Sequence, residues 1–565
     1  MNLRRLLPIV SVVLSLSPMA QVKAQLSPDN SLGAESSVVT PLDQLNERID
    51  GGATRGTNLF HSFQDFNVGE GRGVFFGNPT GIENILSRVT GGNASDILGK
   101  LGVLGEANLF LVNPNGIHFG ENASLEISGS FLATTADGIR LGENGLFSAK
   151  QLAGSQLLSV EPGALFSNAL AAQQAGISNA GQLVVGKDLT LAAGNLDLQG
   201  QLHAGANLNL LAENTVRVRD SQVSPFLASA GEQLLLQGNR AVDIFALNHA
   251  NSGFFSLGNM VFRSASAVGG DAHYWSGGNF GIEQLDGTLG NLFSPYDPVI
   301  RSQGDVSFNG YQGTSLHILA AGSVSIGTAV ITGPETGAVG VDYLQENIQL
   351  SDGTEVSIDG SVRPTLDVRA GMRAEAVGIP GITGSSGFPI DVFANAAFND
   401  LEQPQITATP TSADITIGDV SFTNANGAVS NGLVLLTNQY QPNTALPGGN
   451  ISITGNGFFA LGINAPGLGG PGGEVFIDAR NDLSLVNGAD IRVRGAGGGG
   501  IKINATNLET SPGSVLVAGI RQGQGSPTAQ AGDIEITTTG AVNMTESVIA
   551  NQVGQGAEGW GGDIV

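Results

Sequence analysis

Six histidines, His61, His118, His203, His249, His273 and His317, are the first residues to test for chemistry. A zinc site needs several of them at close, regular spacing, or mixed with cysteines. Here they are scattered and the chain has no cysteine, so they read as core or surface histidines. Asp352, Glu355 and Asp359 lie close together and could supply the paired carboxylates of glycosidic cleavage, but a solvated bend is the simpler reading. Gly467-Leu468-Gly469-Gly470-Pro471-Gly472 fits a dinucleotide spacing, yet it carries a proline and leads into strand residues rather than a helix, so it is expected to be a turn. The aromatic phrases His273-Tyr274-Trp275 and Phe293-Ser294-Pro295-Tyr296 could stack on a sugar. The commoner use of such residues is to cover an apolar core beneath a loop. The residues thus point to no catalytic side chain, no metal and no cofactor.

The elements that would position any such residues are legible as repeats. Gly186-Lys187-Asp188-Leu189-Thr190-Leu191 recurs as Gly205-Ala206-Asn207-Leu208-Asn209-Leu210 and as Gly231-Glu232-Gln233-Leu234-Leu235-Leu236. The phrase returns at Gly304-Asp305-Val306 and Gly322-Ser323-Val324. It is sharpest near the end, at Gly449-Asn450-Ile451-Ser452-Ile453, Gly473-Glu474-Val475-Phe476-Ile477, Gly500-Ile501-Lys502-Ile503, Gly532-Asp533-Ile534-Glu535-Ile536 and Gly562-Asp563-Ile564. Glycine turns the corner, a polar residue faces solvent at the bend, and the alternating apolar residues go to one face of a short strand. A lone strand of this kind cannot bury that face, whereas coils of about 25 residues stacked about 4.8 Å apart form a continuous apolar column. The expected fold is all-β, a parallel β-helix of roughly 20 coils. β-Sandwiches would instead show hairpin turns every 8 to 12 residues or so. The period lapses between Gly371 and Pro410 and again from Gly467 to Gly473, which read as excursions.

Composition narrows compartment and partners. Met1–Arg5 is basic, Leu6–Leu16 is apolar, and Val22-Lys23-Ala24 is a small-x-small cleavage site, so residues 1-24 read as a secretory signal peptide. The apolar run falls short of the roughly 20 residues needed to span a bilayer. A net charge of −25 with pI near 4.4 argues against a nucleic-acid role, which needs clustered cations. The lack of cysteine suits a chain kept threadable until it has crossed a pore.

Residues 58–136 differ in texture, denser in phenylalanine and asparagine. They contain Asn58-Leu59-Phe60-His61-Ser62-Phe63 with Phe66-Asn67-Val68, then Asn84-Ile85-Leu86-Ser87-Arg88-Val89-Thr90-Gly91-Gly92. Ala107-Asn108-Leu109-Phe110-Leu111-Val112-Asn113-Pro114-Asn115-Gly116-Ile117-His118-Phe119-Gly120 and Gly129-Ser130-Phe131-Leu132-Ala133-Thr134-Thr135-Ala136 follow. In this order the phrases resemble the haemagglutination-activity, or two-partner-secretion, domain of filamentous haemagglutinins. The resemblance covers about residues 30–140 firmly.

It implies a right-handed parallel β-helix with an N-terminal capping secretion domain, exported through an outer-membrane Omp85-like transporter to the surface of a Gram-negative-type bacterium. It also implies an adhesin or structural filament, monomeric, with a host or cell-surface glycan or protein as receptor. In that family the Asn-Pro-Asn-Gly phrase is important for secretion, which maps onto Asn113, Pro114, Asn115 and Gly116. A second family phrase, Asn-Pro-Asn-Leu, survives only as Asn78-Pro79-Thr80-Gly81. The expected division is signal peptide 1-24, secretion domain 25-265 and β-helix repeats 266-565, cut short at the C-terminus. The alternative from another class is a polysaccharide lyase or hydrolase on a β-helix, which would stack carboxylates on neighbouring coils about 5 to 10 Å apart.

Overall fold

The computed structural model describes residues 26–143, 145–154, 157, 175–335, 344–378, 410–455, 462–467 and 469–565. The signal-peptide residues 1-24 and most of the stretch from Gly371 to Pro410 lie outside these. Through the described chain, strands of one coil pair in parallel with those of the next on three faces. On the first face Leu59, Ile85, Leu109 and Phe131 stand in register. The same column continues through Leu189, Leu208, Leu234, Met260 and Phe280. It then runs through Val306, Val324, Ile415, Ile451, Leu483, Leu508 and Val542.

A second face stacks Ile463, Ile491, Leu516 and Ile549, and a third stacks Phe254, Tyr274, Ile300, Ile318, Val368, Leu436, Ile477 and Ile503. The inward residues of all three faces form one buried cluster, except at the C-terminal end, where Val542 is exposed and Ile549 only partly buried. This is the solenoid expected from the repeats, because each strand's apolar face is buried only by its neighbours in the stack. The Gly-bounded phrases do not all mark one corner, however. Ile451 opens a first-face strand, whereas Val475, Ile501 and Ile534 pair with one another on the third face.

The polar residue at the bend also does more than face solvent. The position just before each first-face apolar residue carries Asn, Asp, Ser or Gln in nearly every coil, and these side chains bond from coil to coil. Asn84 donates to Asn58 Oδ1 (3.0 Å) and Asn108 to Asn84 Oδ1 (2.9 Å). Further along, Asn207 donates to Asp188, Asn450 to Asp414, and Asn507 to Asp482. In these rungs the later coil donates and the earlier coil accepts.

Antiparallel strands close the N-terminal end. Leu26–Pro28 pairs with Asn58–Phe66, and Ser37–Pro41 pairs with Asn46–Gly51. Without such a cap the first parallel strands would expose an unpaired edge and an open apolar column. Phe63, Phe66 and Phe76 fill the column just below it, at ring separations of 5.2 and 6.0 Å.

Excursions leave the shaft at corners and return onto its outer surface, so the chain makes fewer coils than its length alone suggests. After Thr134 a hairpin, Gly138–Leu141 with Gly145–Ser148, lays Ile139 and Phe147 over Phe60 and Leu86 on the first face. After Ile331 a second hairpin, Gln345–Gln349 with Glu355–Asp359, packs Ile348, Val356 and Ile358 over Leu319, Leu433 and Leu435 on the third. The shaft resumes at Thr365–Arg369, just before the lapse that begins at Gly371, and a short helix, Ala374–Val377, follows.

Candidate functional site

Asn113-Pro114-Asn115-Gly116 forms the corner between Asn108–Val112 on the first face and Ile117–Phe119 on the second. Gly116 N donates to the Asn113 carbonyl at 3.2 Å, closing a β-turn with proline at its second position, where a fixed φ suits the turn. The positive φ falls on Gly116, at 123°, and not on Asn115. The two asparagines serve through their side chains instead. Asn113 is fully buried and its amide donates to the Asn93 carbonyl and to Ser95 Oγ, both at 3.0 Å. Its Oδ1 accepts from Asn115 N at 3.0 Å. Exposed Asn115 donates to the Gly91 carbonyl at 2.8 Å.

Each of these longer-range partners lies in the preceding coil. That coil is in turn tied to the cap: Thr90 donates to Asp29, which also accepts from Ser31 and Ser62. Burial pushes the Asp29 carboxyl up, but these hydrogen bonds outweigh it and hold the group below its ordinary value. A continuous polar path therefore runs from the cap, through the corner at Thr90–Ser95, to the Asn113–Gly116 turn.

Asn78 and Pro79 stand at a different corner, between the third and first faces, yet they bridge coils too. Asn78 donates to the Ile82 carbonyl (2.9 Å), and its Oδ1 accepts from Glu106 N (3.1 Å) and Ala107 N (3.3 Å) in the following coil. The two Asn-Pro phrases are thus separate inter-coil staples.

The other sequence candidates are dispersed. His61 and His203 are buried beside Ser37 and Ser229, and burial lowers each to a pKa of about 4. His317 is enclosed between Glu335 (2.8 Å) and Asp367 (3.3 Å). Burial disfavours its charge, but the two carboxylates override that and raise it to about 10. His118 lies exposed beside Ser178, His249 Nδ1 accepts from Asn251 N, and His273 neighbours Asp297. Among the described residues no three His, Cys, Asp or Glu side chains are grouped to hold a metal ion.

Asp352, Glu355 and Asp359 sit on the second hairpin, not stacked on coils of the shaft, and Asp352 pairs with Lys502 at 2.8 Å. Tyr274 and Trp275 are buried, Tyr274 in the column and Trp275 with its indole N–H on the Gly378 carbonyl (2.9 Å), so neither presents a face to a sugar. The described residues of Gly467–Gly473 turn the corner between Gly462–Asn464 and Glu474–Asp478.

Sequence reasoning missed Asn93 and Ser95 as partners of Asn113, and it missed the Asn58–Asn84–Asn108 stack. The second had a visible signal, an asparagine directly before the apolar pair of each successive first-face strand.

Comparison with known proteins places this corner. The family described as TPS secretion domain matches residues 24–282. A heme/hemopexin-binding protein of Haemophilus influenzae is 41% identical over 83 residues, covering 15% of this chain and 9% of that protein. A second one from Haemophilus influenzae is 39% identical over 82 residues, covering 14% and 8%. The aligned part of the chain therefore spans under a tenth of the length of these curated relatives. Among solved structures, the filamentous hemagglutinin secretion domain overlays with a TM-score of 0.24 at 16% identity, covering 56% of this chain and 97% of that one. The HMW1 secretion domain from Haemophilus influenzae overlays at 0.22 and 13%, covering 95% and 100%. Overlays this loose carry no weight beside the strand pairings and the family match. The Asn113–Gly116 corner lies within residues 24–282, and over those residues the chain carries a TPS secretion domain.

Proposed function

We propose that residues 25-265 act as both secretion signal and folding nucleus, and that residues 266-565 extend the shaft of an adhesin or structural filament. A TPS secretion domain implies an outer-membrane transporter of the Omp85 family as partner, and secretion across the outer membrane. In our reading the chain is threaded unfolded, folds outside as a monomer, and meets a glycan or protein receptor at the cell surface.

The observation that carries this reading is the direction of the polar contacts. Parallel coils have no local hairpin to start them, so nucleation is slow and each coil needs a template. The cap supplies the first template with antiparallel, local pairings. From there, the amides of Asn84, Asn108, Asn113 and Asn115 donate to groups already laid down in the coil before. A turn of this kind can be completed as soon as Gly116 has emerged, before any later coil exists. Each completed coil then opposes return through the pore.

The test separates export from folding. Asn115→Ala is compared with the unaltered chain for secretion through its transporter and, as purified protein, for β-structure by circular dichroism. Slowed secretion with full β-structure at equilibrium supports the role. Unchanged secretion together with full β-structure removes it.

A further inference from the structure

Arg492, Arg494 and Arg521 line one groove of about 480 Å³ on the second face, together with Ser421, Thr423 and Asn464. This is an unusual gathering in a chain with 24 Lys and Arg against 49 Asp and Glu. The geometry explains how it arises. Ser421, Asn464 and Arg492 stand in register on three successive coils, and Arg494 faces Gly519 on the next, which leaves its side chain room. Arg521 follows directly on that coil, its N donating to the Gly495 carbonyl at 2.8 Å.

Elsewhere on the same face the cations are matched. Arg217 pairs with Asp197 at 3.3 Å and Arg219 with Asp243 at 2.5 Å, each across adjacent coils. The carboxylate that bears on Arg494, Asp490, is buried and committed to Arg492 at 2.5 Å. Among the described residues Arg494 and Arg521 form no salt bridge. Burial and the like charges of Arg492 and Arg521 push the Arg494 guanidinium down, with only Asp490 opposing them. Like charges held together without counter-charge are destabilising, and an anion shared between them reverses the sign.

We propose that this groove binds a multivalent oxyanion, held by the guanidinium forks of Arg494 and Arg521 with Arg492, Ser421, Thr423 and Asn464 completing the contacts. Guanidinium matches both carboxylate and phosphate oxygens two at a time, so the ligand class is carboxylate- or phosphate-bearing. The inference is independent of the export scheme.

Equilibrium dialysis of the purified chain at low ionic strength, with labelled citrate in one arm and labelled inorganic phosphate in the other, tests it. One saturable site is expected in at least one arm. It should weaken by about tenfold or more in the Arg494→Ala/Arg521→Ala double variant, while Arg217→Ala, whose arginine is already paired, leaves it unchanged. Tighter citrate assigns a carboxylate ligand, and tighter phosphate a phosphoryl one. No saturable site in either arm up to about 10 mM, or equal binding by a folded double variant, overturns the proposal.

Discussion

Asn115 is exposed at the tip of its turn, yet its amide reaches back 2.8 Å to the carbonyl of Gly91 in the coil beneath. Asn113, two residues earlier, makes the same kind of reach from a fully buried position. Burial sets their relative worth, since a buried partner left unsatisfied costs more than one that water can reach. Asn113→Ala should destabilise the folded chain by about 2–3 kcal/mol and Asn115→Ala by about 1 kcal/mol. Urea unfolding of the two variants checks the order, and equal midpoints would contradict it.

Gly116 closes that turn at a φ of 123°, where an L side chain is strained whatever space surrounds it. Gly116→Ala should cost more than about 1 kcal/mol, and Gly92→Ala, at a neighbouring corner with open space and no positive φ, should cost less. Thermal midpoints of the pair decide the point.

The corner ladder should behave as a structural spine. Asn84 is buried, donates to Asn58 and accepts from Asn108. Asn84→Ala removes both rungs and is expected to cost about 2 kcal/mol. Hydrogen exchange should show the loss concentrated in the coils that begin at Asn58 and Asn108. A uniform loss along the shaft would argue against a local spine.

Acid should weaken the shaft through its buried imidazoles. Burial, partly offset by Asp50 at His61, lowers His61 and His203 to about 4 from an ordinary 6.5, so both are neutral when folded. The unfolded chain then binds the extra protons, so the contribution of these two residues holds above pH 6.5, falls between 6.5 and 4, and levels off below. Each contributes on the order of 3 kcal/mol across that window. His203→Gln should flatten the slope of unfolding free energy against pH over it, and an unchanged slope would refute the assignment.

The second hairpin is held by two unequal sets of charges. Lys502 pairs with Asp352 and Glu535 near the surface, whereas Arg369 is fully buried between Asp367 (2.7 Å) and Glu346. Lys502→Ala should cost under about 1 kcal/mol, and Arg369→Ala about 3–5 kcal/mol, because it strands buried carboxylates. Limited proteolysis in the 344–378 segment should accelerate only in the second variant.

Much of this was open to reading from the residues. The glycine-bounded alternations at Leu189, Leu208 and Leu234 announced a stacked coil, since no isolated strand could bury those side chains. The phrase at Asn113–Gly116 was recognisable as a turn from proline and glycine alone.

Other features depend on which residues of different coils meet. Nothing local says that Ile451 and Val475 occupy different faces, because identical phrases serve at either corner. Thr365–Arg369 alternates regularly, Leu366 and Val368 inward against Asp367 and Arg369, but no repeat of the glycine phrase announced it, and that its outward charges are buried under the hairpin shows only in the fold. Trp275 could not be told from a ligand platform until the Gly378 carbonyl was seen above it. Composition and period fixed the winding, since burial along a strand is a local alternation. Register, excursion docking and the partners of Asn113 were decided only in three dimensions, because they depend on contacts between coils many residues apart.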